Sequence, residues 1–393
     1  MNAITDLPDI YGDNSAQLHN YARFPIEFVR GEGVHLFDAD GNAYLDMLSG
    51  LGVNSLGHCH PSIVSAIERQ SRGLIHTSNL YWTQPAERLA RELTRQSFAD
   101  SVFFCNSGAE ANEAAIKLAR AHAFGRGSRS REIVVLERAF HGRTMGALSA
   151  TPQEDKQAPF APLVHGFKTA PHDDAAQLSA LVTGDTCAVM IEPVQGEGGV
   201  FAVPDDVLVA AREACNEVGA LLIFDEVQCG LGRTGSLFAY EQTPVVPDVV
   251  TLAKALGGGL PIGATLIAEQ FAGALQPGFH GSTFGGNPVA AAAALAALGE
   301  ISKPETLADA REVGDYLTSR LESFGQLRGR GLMIGLELGE DYDARAIVNA
   351  LLDKHRVLVN ATGPHTLRFL PPLIATTDHV DELCLALARE LES

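Results

Sequence analysis

Between residues 101 and 268 the chain alternates short, apolar, β-prone runs with helix-like stretches. No other feature limits the possible folds as much. The β-prone runs are Ser101–Cys105 and residues 133–136, 188–191, 221–224, 249–252 and 264–268. Residues 108–123 are rich in Ala, Glu, Lys and Leu at helical spacing, and residues 204–218 read as a second helix. The pattern predicts an α/β domain with a mostly parallel, mixed sheet between helices. Ligands of such sheets sit at the carboxyl ends of the strands.

The character changes after Asn287-Pro288, where an Asn cap and a first-turn Pro open an alanine-rich helix. Residues 304–324 are helical, 331–338 and 366–370 strand-like, and 377–391 helical again, which predicts a smaller α+β domain. The segment before residue 55 lacks a helical pattern and is expected to pack on that smaller domain. The expected division is therefore residues 1–55, 56–289 and 290–393.

With 29 basic and 48 acidic residues the net charge is −19. That argues against nucleic-acid and anionic-membrane partners, which need clustered Lys and Arg. A small anionic substrate held by a few local arginines remains compatible. Residues 1–14 are acidic and have no signal-peptide core. The longest aliphatic run, residues 289–298, is half of the roughly 20 residues a membrane span needs. Six cysteines, at 59, 105, 187, 215, 229 and 384, show no C-x-x-C spacing. They suggest a reduced, cytoplasmic protein without a metal site. His58-Cys59-His60 has no second ligand cluster and reads as a turn before a helix starting at Pro61.

Two strand-like runs end abruptly in charge. Leu221-Leu222-Ile223-Phe224 stops at Asp225, and Val249-Val250-Thr251-Leu252-Ala253 stops at Lys254, followed by three glycines. A lysine in apolar surroundings favours the neutral, nucleophilic amine. A carboxylate and an amine at the ends of two strands of one sheet can face one crevice. Pyridoxal phosphate needs that pair, an amine for its aldehyde and an anion for its ring nitrogen.

Other groups have a structural and a functional reading each. Ser107-Gly108-Ala109-Glu110 is a capping box, or a phosphate site at a helix start. In Phe140-His141-Gly142-Arg143 the Phe is core or a ring-stacking wall, and the Arg is a surface charge or a carboxylate clamp. Glu192 and Glu197 follow a strand, where loop acids are common. Arg368 lies inside an apolar strand and needs an anionic partner if its face is buried. Gly230-x-Gly232-x-x-Gly235 matches a dinucleotide fingerprint, which would make the chain a nicotinamide-dependent oxidoreductase. Those glycines come too late after their strand and open no helix, so they read as a loop.

Taken together, the motifs resemble the class III pyridoxal-phosphate aminotransferases of fold type I. The motifs are Asn106-Ser107-Gly108-Ala109-Glu110-Ala111-Asn112-Glu113, Phe140-His141-Gly142-Arg143-Thr144, Phe224-Asp225-Glu226-Val227-Gln228, Thr251-Leu252-Ala253-Lys254 and Gly281-Ser282-Thr283-Phe284-Gly285-Gly286-Asn287-Pro288. The nearest branch is similar to the enzymes acting on acetylornithine and succinylornithine. That resemblance implies transfer of the terminal amine of N2-acetyl-L-ornithine to 2-oxoglutarate, a step of arginine biosynthesis. Succinylornithine, ornithine or 4-aminobutyrate would be the alternative donors.

It further implies that Lys254 joins the cofactor aldehyde and Asp225 the ring nitrogen. Val227 and Gln228 would line one ring face and Phe140 stack on the other. Ser107, Gly108 and Ala109 would bind phosphate, and Thr283 would reach the phosphate in the neighbouring subunit of a homodimer. Arg143 and Ser282 would hold the acylated diamino acid. Arg368 would hold the α-carboxylate of glutamate or 2-oxoglutarate, and Glu197 would pair with Arg368 when the other substrate is bound. Leu51 stands where ornithine aminotransferases carry a tyrosine, which favours an acylated donor.

Overall fold

The computed structural model describes residues 15–391, so the acidic start read above, residues 1–14, lies outside the described residues. Seven strands form the large sheet, in spatial order Ser101–Cys105, Gly263–Ile267, Val249–Leu252, Leu221–Asp225, Thr186–Ile191, Glu132–Leu136 and Phe167–Ala170. Gly263–Ile267 runs antiparallel to both neighbours, and the remaining pairs are parallel.

Residues along these strands divide between two apolar layers, as the two-residue side-chain period requires. Ile133, Val135, Ala188, Met190, Leu221 and Ile223 pack with Ala115, Ile116 and Ala119 of the helix Gly108–Gly125. Val134, Val189, Leu222 and Phe224 join the layer that contains Val207, Leu208 and Ala211 of the helix Asp205–Val218. Both faces are covered, so the central strands read as unbroken apolar runs. The strand Phe167–Ala170, which the sequence pattern missed, is an edge strand. Its Lys168 stays partly in solvent and pairs with Glu132 at 2.6 Å.

Ser107 caps the helix Gly108–Gly125, with Oγ accepting from Glu110 N at 3.2 Å. The expected capping box is modified, because Glu110 Oε2 accepts from Asn106 N at 2.8 Å rather than from the cap residue's own amide. Asn287 caps the helix Pro288–Ile301 by accepting from Val289 N and Ala290 N. That helix lies against Pro61–Ser71 and Gln84–Arg95. Its alanines at 290, 291, 293, 294 and 297 are all buried, and their small size permits the close approach.

A second, antiparallel sheet follows the order Gln326–Arg330, Met333–Glu337, Thr366–Phe369 and Asn360–Ala361. The early strands Phe28–Glu32, His35–Asp38 and Ala43–Asp46 form a third sheet, which Val357–Leu358 completes in parallel with Ala43–Asp46. The N-terminal segment therefore shares backbone hydrogen bonds with the C-terminal part. These strands are short and half-exposed, so they leave little periodic signal.

The glycines of the 230 loop serve packing. Gly232 has φ +86°, and a Cβ there would lie 2.7 Å from Leu373 Cδ1; Gly235 has φ +93° and would meet Arg311 Cγ at 2.6 Å. Between them Arg233 is wholly buried. Its guanidinium donates to the carbonyls of Leu332 and Pro371 and to the hydroxyls of Ser49 and Ser55. Burial pulls its pKa down to about 10, partly opposed by Asp46. One side chain thus ties the loop to the N-terminal segment and the C-terminal sheet. Arg233→Met would strip donors from two carbonyls and two hydroxyls. Its expected cost is about 3 kcal/mol of stability, read as a lower denaturant midpoint with unchanged m-value.

Candidate active site

Asp225 is the last residue of its strand and is paired in register with Thr251 on the neighbouring strand. Lys254 comes three residues after Thr251, so both charged groups emerge at the same sheet edge. They share a cleft of about 440 Å³ with Ser107, Gly108, Ala109, Phe140, Arg143, Glu197, Val227 and Gln228. Ten of the thirteen expected site residues therefore converge on one cavity.

Asp225 is 3 % exposed, and its charge is held by donors from three elements. Oδ2 accepts from His141 Nδ1 at 2.8 Å and Asn112 Nδ2 at 2.7 Å, and Oδ1 accepts from Val227 N at 3.0 Å. Asn112 is oriented in turn by Thr251 Oγ1, which donates to its Oδ1 at 2.7 Å. A carboxylate offers about four acceptor positions, so one remains for a further donor. Burial disfavours the charged imidazole of His141, but the hydrogen bond to Asp225 and the charges of Asp225 and Glu192 outweigh it and raise its pKa.

Lys254 makes no ion pair among the described residues. Burial lowers its pKa, and the nearby charges of Glu197 and Asp225 only partly restore it. Its backbone has φ +31°, a left-handed conformation rare outside glycine. The residue is thus aimed by a strained turn as well as desolvated.

The helix start at Gly108 faces the cleft with its first amides free. Gly142, at φ +135°, brings the Phe140 loop close, since a Cβ there would lie 2.7 Å from Ala109 Cβ. Glu113 secures the far side of that loop by accepting from Thr144 Oγ1, Gly146 N and Ala147 N. The Arg143 guanidinium lies over the Phe140 ring at 5.4 Å.

Behind Glu197, Arg368 is completely buried. It donates to Glu197 Oε1 at 2.7 Å, Gln228 Oε1 at 3.2 Å and Asn360 Oδ1 at 3.1 Å, while Nη2 has no partner. Burial raises the Glu197 pKa, but Arg368 overcomes it and holds the carboxyl below its usual value.

Ser282 and Thr283 do not line this cleft. Ser282 Oγ accepts from Asn106 Nδ2 and Gly285 N, both at 3.1 Å, and is committed to shaping its own loop. Thr283 is exposed beside His76, Asn79 and Tyr81 in a separate small pocket. Leu51 is 43 % exposed, two residues from Val53 on the cleft wall. Asn112, His141 and Glu192 belong to the site and were not singled out for roles beforehand. A polar Asn112 among buried alanines 111, 114 and 115 was the available signal.

The family described as Aminotransferase class-III matches residues 16–391. The chain belongs to the class-III aminotransferases. An acetylornithine aminotransferase of Methanocaldococcus jannaschii is 49 % identical over 380 residues, covering 94 % of each chain. The crystal structure of N-acetylornithine aminotransferase from Stenotrophomonas maltophilia superposes with TM-score 0.80 at 38 % identity, covering 93 % of this chain and 96 % of that one. An ornithine aminotransferase from Toxoplasma gondii gives TM-score 0.92 at 32 % identity, covering 97 % and 93 %.

Class-III aminotransferases work with pyridoxal phosphate, and this cleft fits the group. Asp225 has an acceptor position left, Lys254 is a half-buried amine with no ion pair among the described residues, and the helix start offers amides to an anion. Phe140 and Val227 give apolar walls. Gly108 has no room for a side chain, because a Cβ would stand 2.7 Å from Val227 Cγ1.

Glu192 closes the base of this class-III site. Its Oε2 accepts from Phe140 N at 2.9 Å, and burial together with Asp225 pushes its pKa up to about 7, against His141 and the Phe140 and Gly196 amides. The folded state holds this proton more tightly than the unfolded chain does. Its contribution to stability is therefore complete at low pH and is lost as pH rises through about 7. The cofactor-free protein should lose a few degrees of Tm between about pH 5 and 7. Glu192→Gln should flatten part of that fall in a pH series of melts; an unchanged slope would show that this carboxyl is already ionised.

Proposed function

We infer that this chain transfers the terminal amine of N2-acetyl-L-ornithine to 2-oxoglutarate, giving N-acetyl-L-glutamate 5-semialdehyde and L-glutamate. The Arg368–Glu197 pair beside Lys254 carries this reading. One site must take an ω-amine from one substrate and an α-amine from the other. With Glu197 on Arg368 the guanidinium is neutralised, and a donor arriving by its distant amine meets no exposed charge there. When Glu197 swings away, Arg368 is free for the α-carboxylate of glutamate or 2-oxoglutarate, with Nη2 already lacking a partner. The curated relatives, called acetylornithine aminotransferases, support the acylated donor.

Bound in the cleft, pyridoxal phosphate supplies an aldehyde for the amine and a ring that accepts electrons. Asp225 would hold its ring nitrogen, Gly108 and Ala109 its phosphate, and Phe140, Val227 and Gln228 its faces. Lys254 Nζ, whose pKa burial lowers, would take a proton from the amine-bearing carbon of the donor and later return it. Arg143 at the mouth suits the donor's α-carboxylate, which the acyl group leaves as its only charge at that end.

The working unit in this reading is a cytoplasmic homodimer in which Thr283 serves the partner's cleft, carried on the loop that Ser282 shapes. Asn79 Nδ2 donates to the carbonyls of Ser282 and Gly285, tying their loop to a segment whose Leu80, Tyr81 and Trp82 are 85 %, 69 % and 92 % exposed. Apolar side chains so exposed are suited to burial against a second copy. The six cysteines are free, as fits a reducing compartment.

Borohydride reduction of the yellow holoenzyme should bleach it and leave the cofactor on the peptide containing Lys254. An adduct elsewhere would overturn the assignment. Glu197→Gln should shift the ratio of kcat/KM for acetylornithine to that for glutamate toward glutamate by about tenfold, or about 1.4 kcal/mol. Equal changes for both substrates would count against the pair as a selector.

A further inference from the structure

A second cavity of about 790 Å³ adjoins the cleft, and Glu197 lines both. Its wall also includes Asn360, which accepts from Arg368 Nε. Two of the three side chains that hold Arg368 therefore form the boundary of this outer space. Three cations border it, Arg23, Lys156 and Arg345. Among the described residues neither Arg23 nor Arg345 is paired with a carboxylate. Arg23 donates to Gln17 Oε1 at 2.9 Å and lies over the Tyr21 ring, and Lys156 contacts Gln153 and lies 3.5 Å from Asp155.

The acids of this space are committed elsewhere. Asp343 caps the helix Ala344–His355 through Arg345 N and Ala346 N, and Glu197 is engaged by Arg368. With Glu197 balanced by Arg368, the three cations face the charge of Asp343, a small local positive excess on a chain whose net charge is −19.

We propose that this cavity is an entry vestibule for dicarboxylate substrates, with Arg23, Lys156 and Arg345 raising their local concentration and handing them to Arg368 past Glu197. The proposal rests on the transamination reading above. 2-Oxoglutarate carries two carboxylates and is repelled by an acidic protein at distance. N-acetylornithine carries one carboxylate and one ammonium and feels little net force. The vestibule therefore acts on one substrate of the pair and not the other. Charge-lined clefts raise association rates by factors of about 10 to 10³, and salt removes the effect. The three residues are positioning groups for encounter and touch no reacting atom.

The test is the triple variant Arg23→Gln, Lys156→Gln and Arg345→Gln, prepared as holoenzyme and compared with the parent. In a ping-pong reaction kcat/KM for each substrate is obtained separately. At low ionic strength kcat/KM for 2-oxoglutarate should fall about tenfold, while the value for N-acetylornithine changes less than about twofold. At about 0.5 M salt, where screening shortens to a few ångströms, the variant and parent values for 2-oxoglutarate should converge. The N-acetylornithine value in the same preparation reports whether the variant is folded. Equal losses for both substrates, a loss insensitive to salt, or no loss would overturn the vestibule and leave the transfer reaction standing. A parent holoenzyme inert toward the substrate pair would instead overturn the transfer reaction, and the vestibule with it.

Discussion

A buried carboxylate is costly unless it is hydrogen-bonded, and Asp225 draws donors from three parts of the chain. His141 comes from the loop after Glu132–Leu136, Asn112 from the second turn of the helix Gly108–Gly125, and Val227 N from the turn beyond its own strand. Thr251 on the next strand turns Asn112 so that its amide faces the acid. The helix must sit over this strand end for that arrangement to exist, which also fixes its N-terminus at the opposite side of the cleft. The amides of the helix start and the carboxylate of Asp225 are thereby held in one cleft by one helix. Removing the network would leave a lone buried charge, so the geometry is coupled to folding and not merely decorated onto it.

A second buried charge is handled differently. Arg368 is balanced by one carboxylate and two amide oxygens, and one of its nitrogens remains unsatisfied. Asp225 is held by donors from the interior, whereas the one charged partner of Arg368, Glu197, lies on the cleft wall. In the proposed scheme, permanent compensation of one charge and replaceable compensation of the other allow a fixed cofactor and two unlike substrates to share a small space.

Much of this organisation was legible in the amino-acid order. Fully covered strands must be apolar throughout, so the abrupt charges at Asp225 and Lys254 stood out, and the Ser107-Gly108 helix start and the Asn287-Pro288 cap follow local rules. Arg368 inside an apolar strand announced the need for an anion, and Glu197 stands 2.7 Å from it. The polar network was not legible, because Asn112 and Asp225 are 113 positions apart and no local pattern links them. The capping motif could be placed, but not the shift of Glu110 to the amide of Asn106. Strands at the N-terminus and at Gln326–Arg330 escaped because pairing with distant segments, and not periodicity, makes them strands. Ser282 and Thr283 lie away from the cleft because their loop follows Asn79 and Asn106, contacts no local pattern could disclose.

The turn at Lys254 has a cost that falls on the whole molecule. An L-residue held in the mirror-image region of backbone space gives up about 1–2 kcal/mol relative to glycine. Evolution toward heat tolerance would reward glycine at this position and extinguish the amine at the same stroke. Robustness and reactivity therefore pull in opposite directions at a single φ angle, and any hardened descendant of this fold must find its gains elsewhere in the chain.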